Sequence, residues 1–309
     1  MVEERPLPFT RAHRMWVAES TLCMVLQSDP LPTADTAVQG YTIPDIAKRN
    51  LAYAPLQLVE STVAALLPPG PCRQVLVTLK DPLYAAADCM ADLYGDVAAC
   101  PASPQVAVLD MACEVRPGGG FLEGALGAEE ALCCRTDLYP KLAAAAQGRT
   151  EHGHRSHYKA YPLPSISVLV TSVTVMRSAG LHQGANRGPG FRFLAPQRRF
   201  PVGVLVSAAA HRPPVSKDPT TGLMRYAFGV DIDRMYYKML FLLASAAKHG
   251  FHTLILGAWG CGACGHPPRS VAHLFKRALD AHGAAFHRVV FAIPDPELAA
   301  VFAHQFTST

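Results

Sequence analysis

No run in this 309-residue chain approaches the roughly 18–20 uncharged apolar positions of a membrane-spanning helix. The N-terminus, Met1-Val-Glu-Glu-Arg-Pro, lacks the basic-then-apolar layout of a signal peptide. A soluble protein of the cytoplasm or nucleus, with no membrane partner, is therefore expected. Nor is one sign of charge in excess: 28 basic residues face 24 acidic ones, a net of +4. That balance is too mild to argue for nucleic acid, although it suits a small anionic ligand. A disulfide framework is also missing. The nine cysteines are odd in number and scattered through apolar runs, and they read as reduced, mostly buried thiols. There is no internal repeat and no low-complexity linker long enough to force a domain boundary.

What is present is apolar: half the residues are hydrophobic and 17% are charged, enough for a sizeable core. Helical spacing of Met15, Ala18, Leu22, Val25 and Leu26, with Thr10 as cap, predicts a helix over Arg11–Gln27. Ser28–Ile46 reads as a loop and Leu56–Leu67 as a second helix. Val75–Leu79 is a short strand, and Asp81 caps a helix that starts on Pro82 and runs to about Tyr94. Gln105–Met111 reads as a buried strand.

Directly after that strand comes Arg116-Pro-Gly-Gly-Gly-Phe121. Without Cβ atoms, Gly118, Gly119 and Gly120 let the backbone press against a ligand and aim N–H groups at an anion. Seven residues separate Gly120 from Ala128-Glu129-Glu130, and the glutamates lie in a stretch, Gly124–Cys134, that favours helix. Adjacent helical positions diverge by about 100°, so one glutamate faces the cleft and the other reaches its rim. A carboxylate beside such a turn could do acid–base work on whatever the turn holds.

Further on, Thr136–Ser165 is polar, and its His152, His154 and His157 read as part of a solvated loop. Ile166–Met176 and Val202–Ala210 are strands. Between them, Arg187–Phe200 interleaves arginines with phenylalanines and reads as a mobile surface loop. The last third alternates: a helix over Ile232–His249, a strand over His252–Leu256, a glycine-rich loop over Gly257–Pro268, a helix over Arg269–His282, a strand over His287–Ile293 and a short terminal helix. This is a βαβ pattern, so part of the sheet is parallel and helices cover both faces. Ligands of such sheets bind outside the carboxyl ends of the strands. Backbone N–H groups there, with the following helix N-terminus, favour phosphate. Cys261-Gly-Ala-Cys264, with His266 nearby, lacks the second spaced pair of a zinc site, so no metal and no cofactor are expected. Trp259, flanked by this loop's glycines, reads as a brace for it.

These residues carry a family resemblance. Gly118-Gly119-Gly120 followed by Ala128-Glu129-Glu130, the continuation Ala131-Leu-Cys-Cys-Arg135, and the loop Gly257-Ala-Trp-Gly-Cys-Gly262 together resemble the microbial-type poly(ADP-ribose) glycohydrolases. Weaker echoes lie at Val173–Arg177 and Val204–Ala210. The resemblance implies a macrodomain-like three-layer α/β/α fold with a mixed, partly parallel sheet. Residues 1–70 would be an N-terminal helical extension packed on a core of 71–309, and a monomer is expected. It implies hydrolysis of the ribose–ribose O-glycosidic bond of ADP-ribose polymers. The diphosphate and ribose would be held by Gly118, Gly119, Gly120 and Phe121 on one side and by Gly257, Gly260, Cys261, Gly262 and Ala263 on the other. Glu130 would be the general acid and then the base, and Glu129 would hold ribose hydroxyls. Partners would be the polymer or ADP-ribosylated proteins.

Four positions depart from the family pattern: Ala128 stands for its glutamine, Arg116 and Asp110 for asparagines, and Cys264 for an aromatic. Ala128, Arg116 and Cys264 favour an alternative, a binding module of the same fold that reads ADP-ribose without cleaving it. A hydrolase of mono-ADP-ribose on protein side chains is another, and a scaffold without ligand binding is a third.

Overall fold

The computed structural model describes residues 10–27, 39–41, 67–101, 105–148, 159–163, 166–178 and 191–307. Its centre is a seven-stranded sheet in the order β1-β4-β5-β3-β8-β9-β2. The strands are β1 (Gln39–Tyr41), β2 (Val75–Thr78), β3 (Val106–Met111), β4 (Val168–Val175), β5 (Phe200–Ser207), β8 (Thr253–Leu256) and β9 (Arg288–Ala292). From β5 across to β2 every pair is parallel, whereas β4 and β1 run antiparallel at one edge. A separate hairpin joins β6 (Val215–Lys217) to β7 (Met224–Tyr226).

Alternation along the strands divides the core into two layers. Val106 and Val108 of β3 point to one face, with Val204 of β5 and Ile255 of β8. Ala107 and Leu109 point to the other, with Leu205 and Leu254. On the first face lie α1 (Arg11–Gln27), α2 (Pro82–Tyr94), α3 (Ala128–Arg135) and α4 (Leu138–Ala146). On the second lie α5 (Gly229–Lys248), α6 (Pro268–His282) and α7 (Pro296–Thr307). The three layers and the mixed sheet are those expected. Among the described residues no helix is long and apolar enough to cross a membrane.

Three expectations need correction. Ser28–Ile46 is not all loop, because Gln39–Tyr41 pairs with β4 and ends the sheet. The glutamate helix starts at Ala128, not Gly124, since Phe121–Gly124 is consumed by successive turns closed by Phe121 N–H to Gly118 O and Gly124 N–H to Phe121 O. The polar middle contains α4, whose Leu138, Leu142 and Ala145 are buried on the first face. Of the Arg187–Phe200 stretch, Phe191 is buried, and the side chain of Arg177 lies over the Phe193 ring at 3.4 Å. The helix expected over Leu56–Leu67, apart from Leu67, lies outside the described residues. So do Arg187 and the three histidines His152, His154 and His157.

Candidate active site

Strands β5, β3 and β8 are adjacent and parallel, so the segments leaving their carboxyl ends emerge side by side. These are the glycine turn after β3, residues 208–212 after β5 and the glycine loop after β8. The two glycine segments separated by some 140 residues in sequence are thereby brought to one rim.

In the first turn the backbone N–H groups serve the glutamates. Gly118 N–H donates to Glu129 Oε1 at 2.9 Å and Cys113 N–H to Glu129 Oε2 at 2.7 Å. Gly120 N–H donates to Glu130 Oε1 at 2.9 Å. Gly119 and Phe121 N–H are used within the turn, on Arg116 O and Gly118 O. The expectation that this turn aims its N–H groups at a bound anion is thus revised: in the free protein they hold the glutamate side chains. Both glutamates sit in the first turn of α3, where the helix dipole also favours them. Glycine is required here by the approach itself. Gly119 has φ of 57°, and a Cβ there would stand 2.6 Å from Glu130 Oε1. A Cβ on Gly118 would meet the Tyr139 ring at 2.6 Å, and that ring packs on Phe121 with centroids 5.0 Å apart. Phe121 is buried in the first-face core, so its backbone is what it can present to a ligand.

The two glutamates differ in setting. Glu129 is 2% exposed, and burial pushes its carboxyl up to about 8 against the lowering effect of its two N–H bonds. Glu130 is half-buried. Beneath them, at the end of β3, Asp110 is completely buried and neither of its oxygens has a partner. Burial first, then the charges of Glu129 and Glu130, hold it well above the ordinary carboxylate range. The rim therefore carries three carboxyl groups, and burial raises the pKa of two of them, Asp110 and Glu129.

The second loop has the opposite character. Trp259, fully buried against Phe275, anchors it from below. Gly260, at φ of 78°, leaves room for His266, whose ring would stand 2.7 Å from a Cβ there. His266 accepts or donates to Tyr226 Oη at 2.6 Å through Nδ1 and to Ala210 O at 2.7 Å through Nε2. A carbonyl can only accept, so Nε2 carries the proton and the Tyr226 hydroxyl donates to Nδ1. Burial lowers the His266 pKa, which keeps that neutral form. Arg212 N–H donates to Cys264 O at 3.0 Å, a second tie between the segment after β5 and this loop. Among the described residues the N–H groups of Gly262, Ala263 and Cys264 make no hydrogen bond. Three successive unpaired donors at a parallel strand end can bind an anion.

Cys261 and Cys264 are free thiols; burial pushes Cys261 up to about 12 and Cys264 upward as well. Among the described residues no group of three histidine, cysteine or carboxylate side chains could hold a metal. Arg116 lies at the turn's outer edge, 3.6 Å from Glu123. The supporting role of His266 and the burial of Lys238 on α5 were not read from sequence. The one available signal was Lys238 itself, a single charge inside the apolar run Met235–Leu243.

A family model described as microbial-type PARG, catalytic domain, matches residues 45–178, which include the glycine turn and both glutamates. The chain is similar to the solved structure of the poly(ADP-ribose) glycohydrolase of Thermomonospora curvata, at 28% identity and a TM-score of 0.64 over 96% of this chain and 100% of that one. The same enzyme bound to the inhibitor ADP-HPD matches at 26% identity and a TM-score of 0.63, with the same coverage. The glycohydrolase of Deinococcus radiodurans in complex with ADP-ribose shares the fold, at 23% identity and a TM-score of 0.57 over 88% of this chain and 94% of that one. No curated protein gives a significant match. The resemblance read from the two glycine motifs is thus borne out by family model and structure alike.

Proposed function

We propose that this chain, built like the bacterial glycohydrolases it resembles, is a poly(ADP-ribose) glycohydrolase that cleaves the ribose–ribose O-glycosidic bond. One observation carries the site assignment: a glutamate pair locked onto a glycine turn faces, across adjacent parallel strand ends, a loop with three unpaired backbone donors. The donors of Gly262, Ala263 and Cys264 suit a diphosphate, with Gly257, Gly260 and Cys261 shaping the loop around it.

Glu130 Oε1 is fixed by Gly120 N–H, which leaves Oε2 to carry the transferable proton. That proton passes to the glycosidic oxygen as the C1–O bond breaks, and the ribosyl centre becomes oxocarbenium-like. The Glu130 carboxylate then takes a proton from water, whose hydroxyl adds to C1. Glycosidases commonly place two carboxylates on opposite sides of the bond. Here both side chains leave the same helical turn, so a single glutamate acts in succession, and Glu129 holds ribose hydroxyls. Burial of Asp110 and Glu129 favours their uncharged forms, which lessens the negative charge facing the diphosphate. The partner is accordingly ADP-ribose polymer, approached by a monomer.

Glu130→Gln should reduce release of free ADP-ribose from automodified polymer by on the order of 10²–10⁴-fold while retaining calorimetric binding of ADP-ribose. Undiminished release in that variant removes Glu130 from the mechanism. The second reading, a binding module, is favoured by Ala128 and by Arg116, whose guanidinium is paired with Glu123. Binding by the wild-type protein without release would establish it.

A further inference from the structure

Lys238 lies on α5, within the second-face core, and is 5% exposed. Its Nζ donates to Ala208 O at 3.0 Å, the first carbonyl beyond the end of β5. The charges that act on it come from every side of the cleft floor. Glu114 belongs to the segment after β3, Cys264 to the loop after β8, and Arg234 to the preceding turn of α5. His266 of the second loop also feels its charge. Lys238 thus stands at the carboxyl end of β5, next to β3 in the sheet, with its ammonium directed at Ala208 O and close enough to feel Glu114 after β3 and Cys264 after β8. Placing an ammonium in an apolar layer is costly unless a negative group repays it. Burial accordingly lowers its pKa to about 8, so a neighbouring anion would decide whether it keeps its proton.

We infer that Lys238 is a binding residue for the ligand's diphosphate, a buried cation beneath the cleft that complements the backbone donors of Gly262–Cys264. The inference rests on the ADP-ribose reading above. It assigns to a side chain a share of anion recognition that the glycine loops alone would otherwise carry. It also gives a pH dependence: the charge is present at neutral pH and is lost as pH rises through and above 8, later when the anion is bound.

Glu129 ionises in the same range and would also weaken anion binding, so the test is a ratio. ADP-ribose affinity is measured by calorimetry for wild type, Lys238→Met and Lys238→Arg at pH 6.5 and 9.5. Lys238→Met should bind roughly tenfold or more weakly than wild type at pH 6.5, the size of a lost hydrogen bond to a charged group. That ratio should shrink towards one at pH 9.5, and Lys238→Arg should match wild type at pH 6.5 and exceed it at pH 9.5, because a guanidinium keeps its charge there. Equal affinity at pH 6.5 overturns the inference. A loss of the same size at both pH values also overturns it, because a merely structural role does not titrate. If thermal melts show Lys238→Met unfolded, Glu129→Gln is used: its ADP-ribose affinity must still fall above pH 8, and a flat profile overturns the inference. Wild-type protein that binds no ADP-ribose at pH 6.5 fails the underlying reading instead, and is told apart because no variant is needed to see it.

Discussion

At the scale of single residues, the buried carboxyls decide how the site behaves with pH. Glu129 and Asp110 are held protonated in the folded protein at pH values where the unfolded chain has released those protons. A folded pKa raised above the unfolded one means stability is full below the ordinary carboxylate range and is lost as pH rises through the folded value, here about 8 for Glu129. The melting temperature should therefore fall between pH 5 and 9, and Glu129→Gln or Asp110→Asn should flatten that fall. A wild-type profile already flat over this range would mean the pair is ionised. Residues were legible in the sequence where chemistry and spacing coincide, as at Gly118–Gly120 and Glu129-Glu130. Asp110 stood out only as a departure from a pattern. Its burial depends on β3 being covered by α3, which no local spacing reveals.

At the scale of elements, α3 is positioned from both ends. Its first turn is tied to the glycine turn through the glutamates, and Arg135 at its far end pairs with Asp81. Asp81 is also the N-cap of α2, accepting from Leu83 N–H at 3.0 Å. Asp81→Ala removes a cap and leaves the guanidinium of Arg135, 3% exposed, without its carboxylate. It should cost about 3–5 kcal/mol by denaturant unfolding, well beyond the loss of about 1 kcal/mol for a cap alone. The cap was readable from Asp81-Pro82, but the ion pair spans 54 residues and was not. Likewise α4 was missed because its alanine-rich sequence, Leu138–Ala146, carries only a thin apolar stripe. The two loops can now be tested separately. A Cβ on Gly262 would meet nothing within 4 Å, so Gly262→Val should leave the melting temperature nearly unchanged while ADP-ribose affinity falls. In Gly119→Val the side chain would displace Glu130, so turnover should fall with stability.

At the scale of the whole molecule, the parallel run β5-β3-β8 gathers segments distant in sequence; the alternation of strands and helices in the last third foretold a partly parallel sheet but not this strand order. The antiparallel edge was harder. Gln39–Tyr41 lacks apolar alternation and is a strand only because β4 offers it an unpaired edge. Since the site is assembled from both halves of the chain, ligand binding should stabilise the fold as a unit. ADP-ribose at about a hundred times its Kd should add about 2.7 kcal/mol and move the entire melting transition upward, with no early phase left behind.

The glycine turn that holds the glutamates has a kinetic consequence. Its donors are already engaged in the free protein, so the acid stands at its post before any polymer arrives, and no rearrangement on that side must precede bond cleavage. The waiting groups are in the second loop. In a rapid-mixing experiment the step that follows encounter should therefore depend on the anion settling into Gly262–Cys264, and cleavage should begin without a lag once it has.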